Sequence, residues 1–183
     1  MKPTVIKNLN QAGETIAREV AALDFAEWPS ENLISGISSA EDVYEDMAED
    51  DTLTTFVAVR SEDSKTTNSD NSNDDSKTLT LLGTVRITDY DMDATRNAKY
   101  APFLAALYVK PAYRRLGLAR RLVLHALAFH QSRSTLPLHL WHPVSKPHLR
   151  QLYKSLGWTP VQECEYAGST YDKKVVIIMR SPE

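Results

Sequence analysis

Between Lys110 and Arg121 the sequence sets five cations, Lys110, Arg114, Arg115, Arg120 and Arg121, among twelve residues that contain no acid. Gly117 stands inside that run and Ala119 follows two residues on, so the backbone there can come close to a ligand. The run opens on the apolar stretch Phe103 to Val109 and closes on the apolar stretch from Leu116 to about Gln131, which reads as strand, basic turn and helix. A helix start presents amide N–H groups without intrahelical acceptors at the positive end of its dipole. That combination suits an anion, and a pyrophosphate in particular. A solvated helix start can carry the same charges, and it is the cluster together with Gly117 that favours an anion site.

Such a turn needs a strand to feed it and a packed helix behind it. Upstream, Ala12 to Phe25 carries Ile16, Val20, Ala22 and Leu23 at helical spacing and ends before Trp28-Pro29-Ser30, a stop and turn. A second helix, capped by Ser38 or Ser39, sets Val43, Tyr44, Met47 and Ala48 on one face and Glu41, Asp42, Glu45, Asp46 and Glu49 on the other, with Asp50 and Asp51 closing it. Leu53 to Arg60 and Leu79 to Thr88 are β-branched and apolar and read as the antiparallel strands of a hairpin. The 18 residues from Ser61 to Thr78 hold no apolar side chain and read as a disordered hairpin tip. Lengthening a loop from roughly 4 to 18 residues adds only about 1.3 kcal/mol of closure entropy, so the hairpin tolerates it as an insertion.

Downstream, the helix from Leu116 looks apolar nearly all round through Leu118, Leu122, Val123, Ala126, Leu127 and Phe129, and is expected to lie buried against a sheet. Pro137 to Trp141 gives a further strand, parallel to Phe103–Val109 through a right-handed crossover. In the next helix Leu149, Leu152, Tyr153 and Leu156 fall at i, i+3, i+4 and i+7, with Pro147 in the first turn and Gly157 at the exit. Trp158 to Tyr166 and Lys173 to Arg180 finish the chain as two strands. This order predicts an α/β (α+β) domain with a mixed sheet.

At 183 residues, 42% hydrophobic and 25% charged, the chain reads as one globular domain over residues 1–183. A net charge of -3 and a pI near 6.0 confine the positive charge to one locality and argue against nucleic-acid and membrane partners. Cys164 is the only cysteine, which excludes an intrachain disulfide. With no signal-like N-terminus and no membrane-length apolar run, cytoplasm is the default location, and a homodimer is left open.

The glycine count disfavours nucleotide folds, because a P-loop needs G-x-x-x-x-G-K-[ST] and a dinucleotide fold G-x-G-x-x-G, whereas Gly117 stands alone. Instead the segment resembles the GNAT superfamily of acetyl-coenzyme A dependent N-acetyltransferases. That family's (Gln/Arg)-x-x-Gly-x-(Gly/Ala) motif is met at Arg114, Gly117 and Ala119, and its apolar lead-in at Val109, Pro111, Tyr113 and Arg114. A second element, Leu-Tyr-x-x-x-Gly-aromatic, is met at Leu152, Tyr153, Gly157 and Trp158. Where the family often has Asn near the start of this second helix, the chain has Ser145 or Lys146.

The resemblance implies a mostly antiparallel sheet with a central parallel strand pair flanked by helices, and acetyl-coenzyme A as cosubstrate. It implies that backbone amides around Arg115, Leu116, Gly117, Leu118 and Ala119 hold the pyrophosphate, with Arg114 and Arg120 adding charge. Leu107, Tyr108 and Val109 would pair their backbone with the pantetheine arm, as a strand is added to an open edge, and an amide there would polarise the thioester carbonyl. Tyr153 would be the general acid that protonates the departing thiolate.

The acceptor implied is a primary amine, small or peptidic, attacked directly in a ternary complex; a non-catalytic acyl-coenzyme A sensor is the alternative. An alkylamine must lose a proton at a cost of roughly 4.6 kcal/mol at pH 7. Candidate bases are Asp89, Asp91 and Asp93 and the acidic stretch Glu41 to Asp51, which read more readily as solvent-exposed charge, and His139 and His142 beside Trp141, which read more readily as surface or core histidines. No metal site is expected.

Overall fold

The computed structural model describes residues 3–28, 36–49, 54–61, 78–89, 100–166 and 174–182. Seven strands form one sheet: β1 (Thr4–Asn8), β2 (Thr54–Ser61), β3 (Leu79–Thr88), β4 (Phe103–Val109), β5 (His139–Pro143), β6 (Thr159–Tyr166) and β7 (Lys174–Arg180). Four α-helices are described with them: α1 (Glu14–Glu27), α2 (Ala40–Glu49), α3 (Leu118–Gln131) and α4 (Pro147–Ser155). The strand order is β1-β2-β3-β4-β5-β7-β6, antiparallel everywhere except between β4 and β5. The expected mixed, mostly antiparallel sheet with a central parallel pair is therefore present. The expected hairpin tip, Asp50, Asp51, Asp91 and Asp93 lie outside the described residues, apart from the tip's ends Ser61 and Thr78.

The sheet is covered on both faces. On one, Leu9, Ile16 and Val20 pack against Val57, Val59 and Leu81, with Met47 of α2 at the edge. On the other, Leu118, Leu122, Val123 and Ala126 of α3 pack against Phe56, Leu82, Leu104 and Leu140, and Tyr153 of α4 joins the same cluster. Ser39 caps α2 as expected: its hydroxyl accepts from the Asp42 amide at 3.1 Å while the Asp42 carboxylate accepts from the Ser39 amide at 3.0 Å.

Four expectations are corrected. The strand β1 was not foreseen, because five residues with only Val5 and Ile6 apolar carry little periodic signal, and Val5 is exposed on this edge strand. On α1 the buried stripe runs Ile16, Val20, Asp24, whereas Ala22 faces solvent. The helix α3 is buried on one side only: Leu124 is 42% exposed and His125, Ala128 and the arginines also face out. And β5 starts two residues late, at His139. Pro137 lacks an N–H, and the Leu138 amide is taken by the Ser181 hydroxyl at 3.1 Å.

One strand departs from regular geometry. Along β3 and β4, Thr84 pairs with Tyr108 and Arg86 with Ala105, so two steps on β3 face three on β4. The extra residue makes a bulge, and Ala106 takes a left-handed φ of 48°. Next to it Gly83 lets the strands close: a Cβ there would stand 2.6 Å from the Tyr108 carbonyl oxygen. Gly83→Ala should destabilise the fold by about 1–3 kcal/mol by forcing β3 off β4, read as a lower urea midpoint. An unchanged midpoint would show that β4 has slack to yield.

Candidate active site

The parallel partners β4 and β5 meet only at their start. Phe103 is registered with His139, whose amide donates to the Pro102 carbonyl at 2.9 Å. From Leu104 to Val109 no described strand pairs with β4 on that side, so a row of backbone groups faces the gap towards β5. The bulge at Ala106 lies within that open length and bends it further.

The open edge leads into the basic turn. Lys110 donates its amide to Leu82 at 2.9 Å, a 3-10 turn covers Pro111–Tyr113, and Arg115 and Gly117 both take left-handed φ values, 63° and 76°. Gly117 caps α3, whose first closing bond runs from the Arg121 amide to the Gly117 carbonyl at 3.1 Å. The amides of Leu118, Ala119 and Arg120 precede that bond and point out of the helix start. Apart from its chain neighbours, a Cβ on Gly117 would meet no described residue within 4 Å, so there is open space beside the turn. These residues fit a pyrophosphate.

The five cations are not all directed there. Lys110 is ion-paired with Glu19 of α1, and Arg121 reaches the Thr4 carbonyl of β1 at 2.8 Å. Arg114 donates to the Val109 carbonyl at 2.9 Å, its guanidinium 5.5 Å from the Tyr108 ring centre. Arg115 is exposed, and Arg120 lies 3.5 Å from the Ser155 carbonyl, near the end of α4. The charge available to the turn therefore rests on Arg114, Arg115 and Arg120.

Tyr153 is only 5% exposed and belongs to the cluster that includes Leu104 and Leu118, with Leu107 and Val109 packed on it. The helix α4, the open length of β4 and the start of α3 thus converge on one core. Burial alone pushes the Tyr153 phenol up, so its hydroxyl keeps its proton throughout the neutral range. Tyr108, the alternate residue on β4, turns to the α1 face. Burial raises its phenol first, the Glu27 carboxylate that accepts from its hydroxyl raises it further, and Arg114 opposes both.

Of the candidate bases, Asp89 is exposed at the end of β3. In α2, Glu41 bonds Arg18 and Asp42 serves the cap, leaving Glu45, Asp46 and Glu49 on the solvent side. His139 and His142 are core residues at 6% and 1% exposure, because β5 is flanked by β7 and roofed by α4. Sequence reading missed the pair formed by Asp24 and Arg86, with Arg86 also donating to the Thr55 hydroxyl at 3.2 Å. Burial raises the Asp24 carboxyl while Arg86 pulls it down. The only signal was the acid's place on the apolar stripe with Ile16 and Val20. Asp24→Ala should cost about 3–5 kcal/mol by stranding the Arg86 charge, and Asp24→Leu with Arg86→Met should recover most of it. A double variant as unstable as the single one would contradict that pairing.

An open length of β4, a glycine-capped basic turn and a buried phenol thus lie around one core. Residues 73–160 match the family model of the acetyltransferase (GNAT) domain. Over those 88 of the 183 residues the chain is similar to GNAT acetyltransferase domains, which take acetyl-coenzyme A as cosubstrate. Among solved structures, the spermidine N-acetyltransferase of Vibrio cholerae, in complex with CoA and spermine, superposes with a TM-score of 0.66 at 16% identity, over 97% of this chain and 94% of that one. NAA60 of Arabidopsis thaliana, in complex with acetyl-CoA, gives 0.67 at 11% identity, over 97% of both chains. The ribosomal-protein-S18-alanine N-acetyltransferase of Escherichia coli gives 0.61 at 19% identity, over 98% of this chain and 94% of that one. At these identities the likeness is one of fold. No curated protein matches the sequence. No described helix is long and apolar enough to cross a membrane, and among the described residues no three His, Cys, Asp or Glu side chains gather as metal ligands.

Proposed function

We propose that the chain transfers an acetyl group from acetyl-coenzyme A to a primary amine by direct attack in a ternary complex. The observation that carries this reading is the unpaired length of β4 running into the Gly117 turn, with Tyr153 packed on the same core. The amides of Leu118, Ala119 and Arg120 bind the pyrophosphate, and Arg114, Arg115 and Arg120 make the local potential more positive, which favours the phosphates. Backbone groups of Leu107 to Val109 pair with the pantetheine amides, and an N–H in this stretch polarises the thioester carbonyl. Tyr153, kept protonated by burial, gives its hydroxyl proton to the departing thiolate.

Cys164 supports attack without an acyl-enzyme. It lies on β6, separated from β4 by β5 and β7. Three strand spacings are about 14 Å, too far for its thiol to reach an acyl group paired with β4. The acceptor is an amine, as in the structural neighbours that act on spermidine or on the alanine of a ribosomal protein.

Two assays test this. Acetyl-coenzyme A, and not ATP, should raise the thermal midpoint, and coenzyme A thiol should be released when polyamines, amino acids or peptide N-termini are added. Stabilisation by acetyl-coenzyme A with no release on any amine would favour the sensor. Stabilisation by ATP alone would remove the coenzyme site.

A further inference from the structure

Beside Tyr153 lies an aromatic group that the acid chemistry leaves unassigned. His142, on β5, stacks its ring on that of Tyr153, with 6.1 Å between centroids and 26° between planes. Its Nδ1 is 3.0 Å from the Pro143 carbonyl oxygen. A carbonyl only accepts, so Nδ1 carries the hydrogen, and the ring is fixed in one orientation. The other nitrogen, Nε2, is enclosed and has no hydrogen-bond partner among the described residues. The Trp158 ring stands 6.0 Å from that of Tyr153, and its Nε1 is likewise enclosed without a partner among the described residues.

Buried polar atoms without partners are rare, and packing alone would be met by Leu or Phe at these positions. Here the rings that carry one partnerless acceptor and one partnerless N–H donor both neighbour the ring of Tyr153. A water molecule, which offers two hydrogens and accepts one or two, is the group that would serve such atoms.

We propose that His142 is a positioning residue for Tyr153: through a water bound at Nε2 it supplies a hydrogen bond to the phenolic oxygen during acid catalysis. The water donates one hydrogen to Nε2 and the other to the Tyr153 oxygen, and accepts from Trp158 Nε1. The hydroxyl hydrogen stays free for the thiolate. As the O–H bond of Tyr153 breaks and the S–H bond forms, the negative charge left on the phenolic oxygen is met by a donor already in place. A direct bond from the hydroxyl to Nε2 would turn the acidic hydrogen away from sulfur. The inference rests on Tyr153 being the acid.

A double-mutant cycle tests it. His142→Phe keeps the stacked ring and removes both nitrogens; it should lower kcat roughly tenfold to a hundredfold and leave KM for acetyl-coenzyme A unchanged. His142→Gln, whose side-chain amide can still hold a water, should recover part of the rate. The double variant His142→Phe with Tyr153→Phe should be no slower than Tyr153→Phe alone. If His142→Phe loses its cooperative thermal transition, His142→Met, with an adaptable apolar chain, takes its place in the cycle. A silent His142→Phe, or two losses that multiply in the double variant, overturns the role of His142 while Tyr153 stays the acid. Tyr153→Phe at the wild-type rate would instead remove the acid itself, and the proposal with it.

Discussion

Tyr153→Phe is expected to reduce kcat by about a hundredfold or more, the range in which a positioned general acid contributes, while KM for acetyl-coenzyme A changes little. The substitution deletes one oxygen from a side chain that is 5% exposed and leaves its ring in contact with those of His142 and Trp158, so stability should hardly move. The pH dependence follows from the direction in which burial moves the phenol. Because it is raised, the wild-type acid stays protonated from neutral pH well into the alkaline range, and no alkaline loss from Tyr153 should cut into kcat near neutrality. A fall in kcat just above neutrality that disappears in the Phe variant would mean the phenol is not shielded in this way. Rates measured with a saturating amine against pH, for both proteins, separate these outcomes.

Gly117→Val is expected to have the largest effect on cosubstrate binding. Gly117 caps α3 at φ 76°, a conformation that costs a residue with a Cβ about 1–2 kcal/mol, and more when the side chain is β-branched. Apart from its chain neighbours, no described residue lies within 4 Å of the added Cβ, so the side chain would enter the open space proposed for the pyrophosphate. Strain and steric exclusion act together: KM for acetyl-coenzyme A should rise by at least tenfold, since about 1.4 kcal/mol is a factor of ten. The melting midpoint without ligand should fall modestly. Gly117→Ala should show most of the strain and less of the exclusion. An unchanged KM in both variants, with the protein folded, would move the anion away from this turn.

The turn was legible because its chemistry lies in consecutive residues. Arg114, Gly117 and Ala119 stand between two apolar runs, and the structure sets them as strand, turn and helix with the glycine at the cap. The helix α4 was legible for a related reason: Pro147 and Gly157 mark its ends, and Leu149, Leu152, Tyr153 and Leu156 repeat at helical spacing. What sequence could not give depends on residues far apart in the chain. Nothing near Asp24 in the chain points to its partner Arg86, which reaches it from β3. His142 looked like a surface or core histidine, and only the packing of α4 over β5 brings Tyr153 against it. Likewise, Lys110 and Arg121 read as members of the anion cluster, yet Glu19 and the Thr4 carbonyl hold them elsewhere. The failure to see β1 has the same origin, for its pairing with β2 is what makes five weakly patterned residues a strand.

The open edge of β4 would suit an added strand-like ligand, and the bulge lies within that open length. The bulge sets two residues of β4, Ala106 and Leu107, against Val85 of β3 and puts Ala106 in a left-handed conformation, within the stretch that no described strand pairs on the β5 side. Gly83 holds the other side of the same strand in close contact. A strand paired on one side and free on the other offers amide and carbonyl groups at the spacing an extended amide-bearing chain requires.

The central claim, direct transfer of an acetyl group from acetyl-coenzyme A to an amine, is tested most directly by rapid-quench experiments with acetyl-labelled coenzyme A and a panel of amines. The account predicts that label passes from the thioester to the amine as an amide, at a rate matching thiol release, and that none accumulates on the protein. Label found on the protein before it appears in product, or label that stays on a bound thioester with every amine offered, would contradict it.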